Sequence, residues 1–136
     1  MRLPGRAASL FRTWNEPAEL MALRISFDQA LDIWRGAALD TVRGGRPDLT
    51  MRQMAVVLTI YLEPPPHTVR GLAAALNIAK PAVVRALDRL EELDFVRRRD
   101  DTADKRNVLI ERTVKGSVYL RETGDLIAAA ALGGKR

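Results

Sequence analysis

Four basic side chains in the second half of the chain have the types and spacing needed for recognition chemistry. Lys80 and Arg85 are five residues apart, and Lys105 and Arg106 are adjacent. A guanidinium offers two parallel N–H donors that fit the acceptors on one edge of guanine, whereas an ammonium group attracts phosphate as a point charge. These side chains are therefore candidates for binding an anionic partner without making or breaking covalent bonds.

Residue types that catalysis and metal binding depend on are scarce. The 136 residues include no cysteine and one histidine, His67, which excludes disulfides, thiolate zinc sites, a cysteine nucleophile and clusters of histidine ligands. The sequence contains no glycine-rich phosphate loop and no nucleophile with a neighbouring base. We therefore expect neither an enzyme nor a protein with a metal or another cofactor.

Charge and hydropathy are those of a globular protein with a basic surface. Hydrophobic residues make up 47% and charged residues 29%, and 22 Lys and Arg residues exceed 17 Asp and Glu residues, for a net charge of +5. This surplus suits nucleic acid or an anionic membrane surface and does not choose between them. No apolar run approaches the ~20 residues that cross a bilayer, so we expect a soluble protein.

The first segment, 1–15, differs in composition from the rest. It contains three arginines and no acid before Glu16. Flexible arms that contact phosphate have this composition, and so do mitochondrial transit peptides. We favour the arm, followed by one compact domain over 16–136.

A helix is predicted over 16–43, with its stronger part beginning at Ser26. Ser26 and Gln29 have the spacing of a capping box, and apolar residues follow on one helical face, namely Phe27, Leu31, Trp34 and Ala38. Two glycines and Pro47 end this helix. Trp14 and Trp34 fit a core position best, with a subunit interface and a ligand cage as alternatives.

A second helix begins at another capping box, Thr50 with Gln53. It ends at Glu63, because the three prolines that follow cannot continue a helix. His67 comes next in a predicted loop, where we expect a solvated or turn-bonded side chain.

Two helices joined by a tight turn are predicted after this loop. Thr68 can cap a short helix over 69–76, residues 77–79 break it, and Pro81 fits the first turn of a longer helix. In the longer helix, apolar residues recur at spacings of three and four, at Val83, Ala86, Leu87, Leu90 and Leu93. This pattern is typical of a helix-turn-helix motif.

A basic β-hairpin is predicted next. Residues 95–99 and 107–112 have strand character, and the polar residues 100–106 connect them. A recognition helix followed by such a hairpin predicts a winged helix, with the helix in the major groove and the hairpin tip at the minor groove. A last helix begins at Thr113 and runs to Ala131, weakened in its middle by Gly124.

Five segments together resemble the MarR family of bacterial winged-helix transcription regulators, over about residues 24–125. They are 48–54, 68–73, 81–91, 101–106 and 113–116. The resemblance implies a mainly α fold with a small β-hairpin wing, divided into a dimerisation segment (16–47), a winged helix (48–112) and a final helix (113–132). It also implies a cytoplasmic homodimer that binds a near-palindromic operator in double-stranded DNA and usually represses transcription, often until a small lipophilic effector binds.

The candidate DNA-binding residues follow from the helix front and from the resemblance. They are Lys80, Pro81, Ala82, Val84, Arg85, Arg89, Arg98, Lys105 and Arg106. The resemblance implies that Asp104 holds the wing arginine in place. Two alternatives are open: an intrahelical ion pair between Arg89 and Glu92, and a wing that is a solvated charge run. Arg97, Arg98 and Arg99 alternate faces along a strand, so only one or two of them can face DNA.

Two features depart from the family pattern. Where the family often has serine and threonine, this helix front has Ala79, Pro81, Ala82 and Val84, which can pack on thymine methyl groups but cannot donate to base edges. The chain also ends about 23 residues after Thr113, which is short for the usual dimerisation helices. The predicted ligand pocket, lined by Trp34, Tyr61 and Tyr119, has core packing as its alternative. The apolar helix front also leaves open a protein-interaction module with the same fold.

Overall fold

The computed structural model describes residues 24–133 as two compact units. One unit spans residues 48–122, and the other contains the flanking described residues 24–47 and 123–133. The predicted arm 1–15, Trp14 and the start of the predicted first helix lie outside the described residues. The elements are α1 (Phe27–Arg43), α2 (Met51–Leu62), β1 (His67–Thr68), α3 (Val69–Leu76), α4 (Lys80–Glu92), β2 (Val96–Asp100), β3 (Val108–Arg112) and α5 (Val114–Ala131). The predicted fold class, mainly helical with a small β-hairpin wing, is confirmed.

The starts of α1, α2, α3 and α5 are set by side-chain caps, whereas α4, with Ala79 at its N-cap position, has none. The Ser26 hydroxyl oxygen accepts from the Gln29 N–H (3.1 Å), and the Gln29 side-chain oxygen accepts from the Ser26 N–H (2.7 Å). Thr50 and Gln53 form the same box at the start of α2. Such caps satisfy N–H groups that have no partner inside the helix, which is why the predicted starts are confirmed.

The turn between α3 and α4 has the backbone geometry that the sequence predicts. Thr68 caps α3 by accepting from the Gly71 N–H (2.9 Å). Asn77 ends α3 in the left-handed conformation (φ 54°), which asparagine tolerates better than most residues. Pro81 lies in the first turn of α4, where a missing N–H costs no helical hydrogen bond. Together α3 and α4 form the predicted helix-turn-helix motif.

The core of the 48–122 unit joins these helices to the sheet. Its fully buried side chains come from α2, α3, α4 and β2, namely Val56, Val57, Ile60, Leu72, Val83, Leu87, Leu90 and Val96. Each large apolar side chain buried in this way contributes about 1.5–3 kcal/mol of transfer free energy. Since α4 supplies Val83, Leu87 and Leu90 from one face, the core sets which side of α4 remains exposed.

The sheet is antiparallel, with strand order β1-β3-β2. In its register, Ile110 of β3 lies between His67 of β1 and Arg98 of β2. The hairpin β2–β3, with its connecting residues 101–107, is called the wing below. The prediction missed β1, and it placed β2 one residue too early.

His67 corrects the expectation of a loop histidine. Its side chain is buried, its backbone is part of β1, and its Nε2 lies 3.0 Å from the Glu63 carbonyl oxygen. The solvated alternative is therefore wrong, whereas the hydrogen bond across the proline turn agrees with the turn-bonded one.

A hydrogen-bonded junction at Tyr61 links α2, the start of β2 and the start of α5. The Tyr61 hydroxyl donates to the Phe95 carbonyl oxygen (2.7 Å) and accepts from the Thr113 N–H (2.8 Å). Thr113 caps α5 by accepting from the Gly116 N–H (2.9 Å). Helix α5 then continues through Gly124, so that glycine does not interrupt it.

The α1 side chains depart from the predicted core position. Trp34 is 58% exposed, and Phe27 and Leu31 on the same face are also exposed. The core interpretation of Trp34 is therefore wrong within this chain, which leaves the subunit interface and the ligand cage.

Candidate nucleic-acid interface

The exposed face of α4 has a mixed basic and apolar surface. Lys80, Pro81, Val84 and Arg85 are exposed there, and Val84 is 37% exposed. Ala82 needs a correction, because it is only 7% exposed and belongs to the inward face with Val83. Ala82 is small and lies at the boundary between the buried and the exposed face of α4, so the sequence pattern did not decide which face it belongs to. The exposed front of α4 therefore has fewer apolar groups than predicted.

Acidic partners divide the basic side chains between 68 and 112 into two groups. The paired group consists of Arg89 with Glu92 (2.9 Å), Arg97 with Asp94 (4.0 Å), Arg98 with Asp88 and Glu91, Arg99 with Glu111, and Arg106 with Asp104. Arg112 donates to two carbonyl oxygens of α2 and its end. Among the described residues, no ion pair or hydrogen bond engages the side chains of Arg70, Lys80, Arg85 and Lys105. These four cations are available for a partner.

Asp104 organises the wing tip around Arg106. Its carboxylate accepts from the Arg106 backbone N–H (3.1 Å), from Nε (3.1 Å) and from a terminal guanidinium nitrogen (3.2 Å). The Arg106 side-chain hydrogen bond, followed by the backbone one, lowers the pKa of Asp104. This geometry agrees with the wing support that the resemblance implies, and it leaves Lys105 exposed beside it.

Arg70 is a candidate that sequence reasoning missed. It is exposed in the first turn of α3, and its positive charge lies close enough to Asp104 to contribute to the lowered pKa of that carboxyl group. Helix α3, which carries Arg70, is therefore a third element with a cation near the wing tip, besides α4 and the wing itself. The available signal was its position two residues after the helix cap Thr68, where a helix amino terminus favours anions.

Arg98 differs from the free side chain that the prediction needs. It is 26% exposed, and one guanidinium nitrogen lies 2.8 Å from Asp88 Oδ1 and 3.3 Å from Glu91 Oε1. Its backbone N–H also donates to Glu91 Oε2 (2.8 Å). Both acids belong to α4, so Arg98 joins the wing to that helix.

The Arg98 contacts lead to a prediction for acid stability. Hydrogen bonds from the Arg98 side chain and backbone lower the pKa of Glu91 below its ordinary value of 4.5. A carboxyl group whose pKa is lower in the folded state than in the unfolded state stabilises the fold at pH values above its unfolded-state pKa. That contribution is lost as the pH falls through the folded-state pKa. We expect the thermal stability advantage of the wild type over Glu91→Gln to be constant between pH 6 and 8 and to shrink below pH ~4.5. Thermal unfolding of both proteins across this range measures it, and a constant difference down to pH 3 would contradict it.

The remaining predicted side chains have different surroundings. Arg89 forms the intrahelical pair with Glu92 that its alternative interpretation expects. Tyr119 is buried and stacks on Phe95, with ring centroids 4.3 Å apart, and Tyr61 forms the junction described above. Both tyrosines therefore have core contacts.

Metal and membrane features are absent from the described part of the chain. Between residues 24 and 133, no three His, Asp or Glu side chains are grouped so that they could hold a metal ion. Over the same range, no helix has the length and apolarity needed to span a membrane.

Comparisons with known proteins agree with this architecture. Residues 49–108 match the model of the MarR family. The solved structure of MarR is 27% identical to this chain, with 78% of each chain covered and a TM-score of 0.59. The S. aureus MepR–DNA complex is 20% identical, with 73% of this chain and 78% of that chain covered and a TM-score of 0.62. CouR from Rhodococcus jostii RHA1 bound to p-coumaroyl-CoA is 23% identical, with coverages of 86% and 76% and a TM-score of 0.56.

Proposed function

We propose that this chain is a transcriptional regulator of the MarR family and not an enzyme. It binds duplex DNA with α4 in the major groove and the wing tip at the minor groove. The observation that carries the proposal is the distribution of cations without acidic partners among the described residues. Lys80 and Arg85 are on α4, Lys105 is at the wing tip, and Arg70 is on α3. Most protein–DNA hydrogen bonds go to the phosphates, for which such cations are suited.

Each element has a separate task in this proposal. Arg85 donates two parallel hydrogen bonds to a guanine, and Val84 packs on a neighbouring thymine methyl group. Lys80, Arg70 and Lys105 contact phosphates, which sets the register of the protein on the duplex. Arg106, oriented by Asp104, enters or borders the minor groove.

The exposed α1 face supports a homodimer. Phe27, Leu31 and Trp34 form a stripe at spacings of four and three, and all three are exposed in the single chain. A contiguous apolar stripe of this kind marks an interaction surface. A two-fold dimer presents two copies of α4, so the operator is a near-palindrome with half-sites about one helical turn apart.

Repression and effector binding complete the proposal. A dimer on its operator excludes RNA polymerase from the same DNA and thereby represses the gene. CouR is a similar protein whose structure contains p-coumaroyl-CoA, which supports the binding of a small-molecule effector here; its lipophilic character is part of the proposal. Of the three residues predicted to line a ligand pocket, Trp34 is exposed. Tyr61 and Tyr119 make contacts in the core.

A protein-interaction module is the competing function, and it was favoured by an apolar front of α4. That front is now smaller, because Ala82 faces the core. Lys80 and Arg85 are exposed beside the apolar residues that remain, Pro81 and Val84.

Selection of bound fragments from a genomic library, followed by a gel-shift titration on the best one, tests the proposal. We expect a near-palindromic site bound by two chains, with an affinity that falls by ~10³–10⁵ between 50 and 200 mM salt if six to ten phosphates are contacted. Absence of duplex binding at low salt, or unchanged binding by the Arg85→Ala, Arg106→Ala double variant, would favour the protein-interaction module. An effector should raise thermal stability and lower operator affinity together.

Arg70→Ala tests the residue that the sequence did not reveal. Because Arg70 is proposed to contact phosphate and each dimer carries two copies of it, we expect weaker binding to operator and to unrelated duplex alike, with the slope of log K against log salt reduced by about two. Gel-shift titrations at four salt concentrations measure this slope. Arg35→Ala is the matched control, since Arg35 is an exposed arginine on α1 that pairs with Asp32, and its slope should be that of the wild type.

A further inference from the structure

Arg98 occupies the edge of the sheet that faces α4. Because the strand order is β1-β3-β2, β2 has one edge without a partner strand. The Arg98 N–H on this strand donates to Glu91 Oε2, and its guanidinium reaches both Asp88 and Glu91. The two acids are three residues apart on α4, so they lie on one helical face. One residue of the wing is thus held by backbone and side-chain contacts to the helix that carries Arg85.

We propose that Arg98 is a positioning residue, which together with Asp88 and Glu91 forms a clamp that fixes the wing relative to α4. This inference rests on the proposed DNA-binding function. A winged helix must reach two grooves at once, so the separation between α4 and the wing tip has to match the duplex. The clamp sets that separation, and Arg98 itself makes no DNA contact.

The neighbouring arginines show why this role belongs to Arg98. Arg97 is 70% exposed and has one partner at 4.0 Å, Asp94, three residues before it in the chain. Arg99 pairs with Glu111 on the adjacent strand, so its contact stays inside the wing. Among these three β2 arginines, Arg98 has the contacts that cross to α4.

Arg98 and Glu91 favour each other's ionised forms, which keeps the clamp formed. Hydrogen bonds from Arg98 lower the pKa of Glu91, and the hydrogen bond to Glu91 raises the pKa of Arg98. Both shifts favour the ionised pair, so the clamp is formed throughout the physiological pH range.

Replacing one clamp acid separates positioning from simple electrostatics. Glu91→Ala removes a negative charge near the proposed DNA surface, so charge alone would make binding equal or tighter. Loss of the clamp makes binding weaker instead. Glu92→Ala is the matched control, because Glu92 is the adjacent acid on the same helix and pairs with Arg89. The two variants remove the same charge, but only Glu91→Ala removes a contact with Arg98.

The experiment titrates a duplex selected by the wild-type chain from a random library, at four salt concentrations. We expect Glu91→Ala and Arg98→Ala each to lose affinity about tenfold, with the wild-type salt slope retained. Glu92→Ala and Arg97→Ala should stay within about twofold of the wild type. The Glu91→Ala, Arg98→Ala double variant should be about as weak as either single variant, because both changes open the same clamp.

Three results would overturn the clamp while leaving DNA binding intact. They are equal or tighter binding by Glu91→Ala, wild-type affinity of Arg98→Ala, and a salt slope of Arg98→Ala that is shallower by about two, which would make Arg98 a phosphate contact in both chains of the dimer. Thermal unfolding of each variant shows that it is folded, and Arg98→Lys replaces Arg98→Ala if the latter is not. Arg98→Lys keeps the charge but not the two-sided fork, so it should lose affinity at an unchanged slope. If the wild-type chain selects no duplex, the proposed function fails, and the clamp's role in DNA binding fails with it.

Discussion

Gly116→Ala is expected to destabilise the protein by about 2–4 kcal/mol, because a methyl group at this position has the closest contacts among the glycines whose surroundings are described. A Cβ atom at Gly116 would collide with the Tyr61 hydroxyl and the Phe95 carbonyl oxygen and would lie 2.8 Å from Tyr61 Cζ. The carbonyl belongs to the backbone, which cannot move aside as a flexible side chain can. Relief therefore requires the backbone of Phe95 or of α5 to move as well as the Tyr61 side chain, which breaks the Tyr61 hydrogen bonds to Phe95 and Thr113.

Gly124→Ala is the matched control on the same helix. Nothing lies within 4 Å of a Cβ built at Gly124. Alanine is favoured over glycine by up to about 1 kcal/mol in a helix interior, so this variant should be neutral or slightly more stable. Thermal and urea unfolding of both variants measure the contrast. Equal stability of Gly116→Ala and the wild type would show that the Tyr61 junction is not the constraint described here.

The Tyr61 junction also explains a segment that the sequence revealed only by resemblance. Residues 113–116 matched the family pattern, but no local signal gave a reason for the glycine. The reason lies in contacts with Tyr61 and Phe95, which are 55 and 21 residues away in the chain. Close approach between distant segments leaves no trace in helical periodicity or capping spacing.

Helix boundaries and the core face were predictable because their causes are local. A capping box joins residues that are three apart in the chain. The pairs Ser26 with Gln29 and Thr50 with Gln53 therefore predict where their helices begin. Helical spacing likewise places Val83 among the buried residues. Strand β1 has two residues and no room for an alternating pattern, which is why His67 was assigned to a loop.

The sequence predicted which types of side chain form the candidate DNA-binding site, but only in part what each of these side chains does. Arginine in a basic hairpin indicates an anionic partner, but whether its charge is free depends on acids elsewhere in the fold. Arg98 pairs with acids on α4, whereas Arg70 forms no ion pair with a described residue, and neither fact follows from the adjacent residues in the sequence. The same limit applies to Trp34, whose spacing predicts an apolar face but not what covers it.

Arg85→Ala is expected to have the largest effect on DNA recognition. Arg85 is exposed on α4 without an acidic partner among the described residues, and it is adjacent to the exposed Val84. A two-donor contact to guanine contributes about 1–3 kcal/mol of discrimination, so operator affinity should fall by about 5–150-fold for each half-site. Binding to unrelated duplex should fall much less, because that binding depends on phosphate charge. Gel-shift titrations with the selected operator and with unrelated duplex of equal length measure both losses.

Arg85→Lys and Lys80→Ala distinguish base reading from charge. Arg85→Lys keeps the positive charge but replaces the planar fork by a point charge, so it should lose discrimination at one base pair while its salt slope stays that of the wild type. Lys80→Ala should show the opposite pattern, with uniform weakening on all duplexes and a salt slope lower by about two, because each dimer loses two phosphate contacts. If Arg85→Lys retains full operator preference, Arg85 acts on phosphate. Sequence reading would then rest on Val84 and on DNA shape, and replacing single operator thymines by deoxyuridine would locate the methyl group that Val84 contacts.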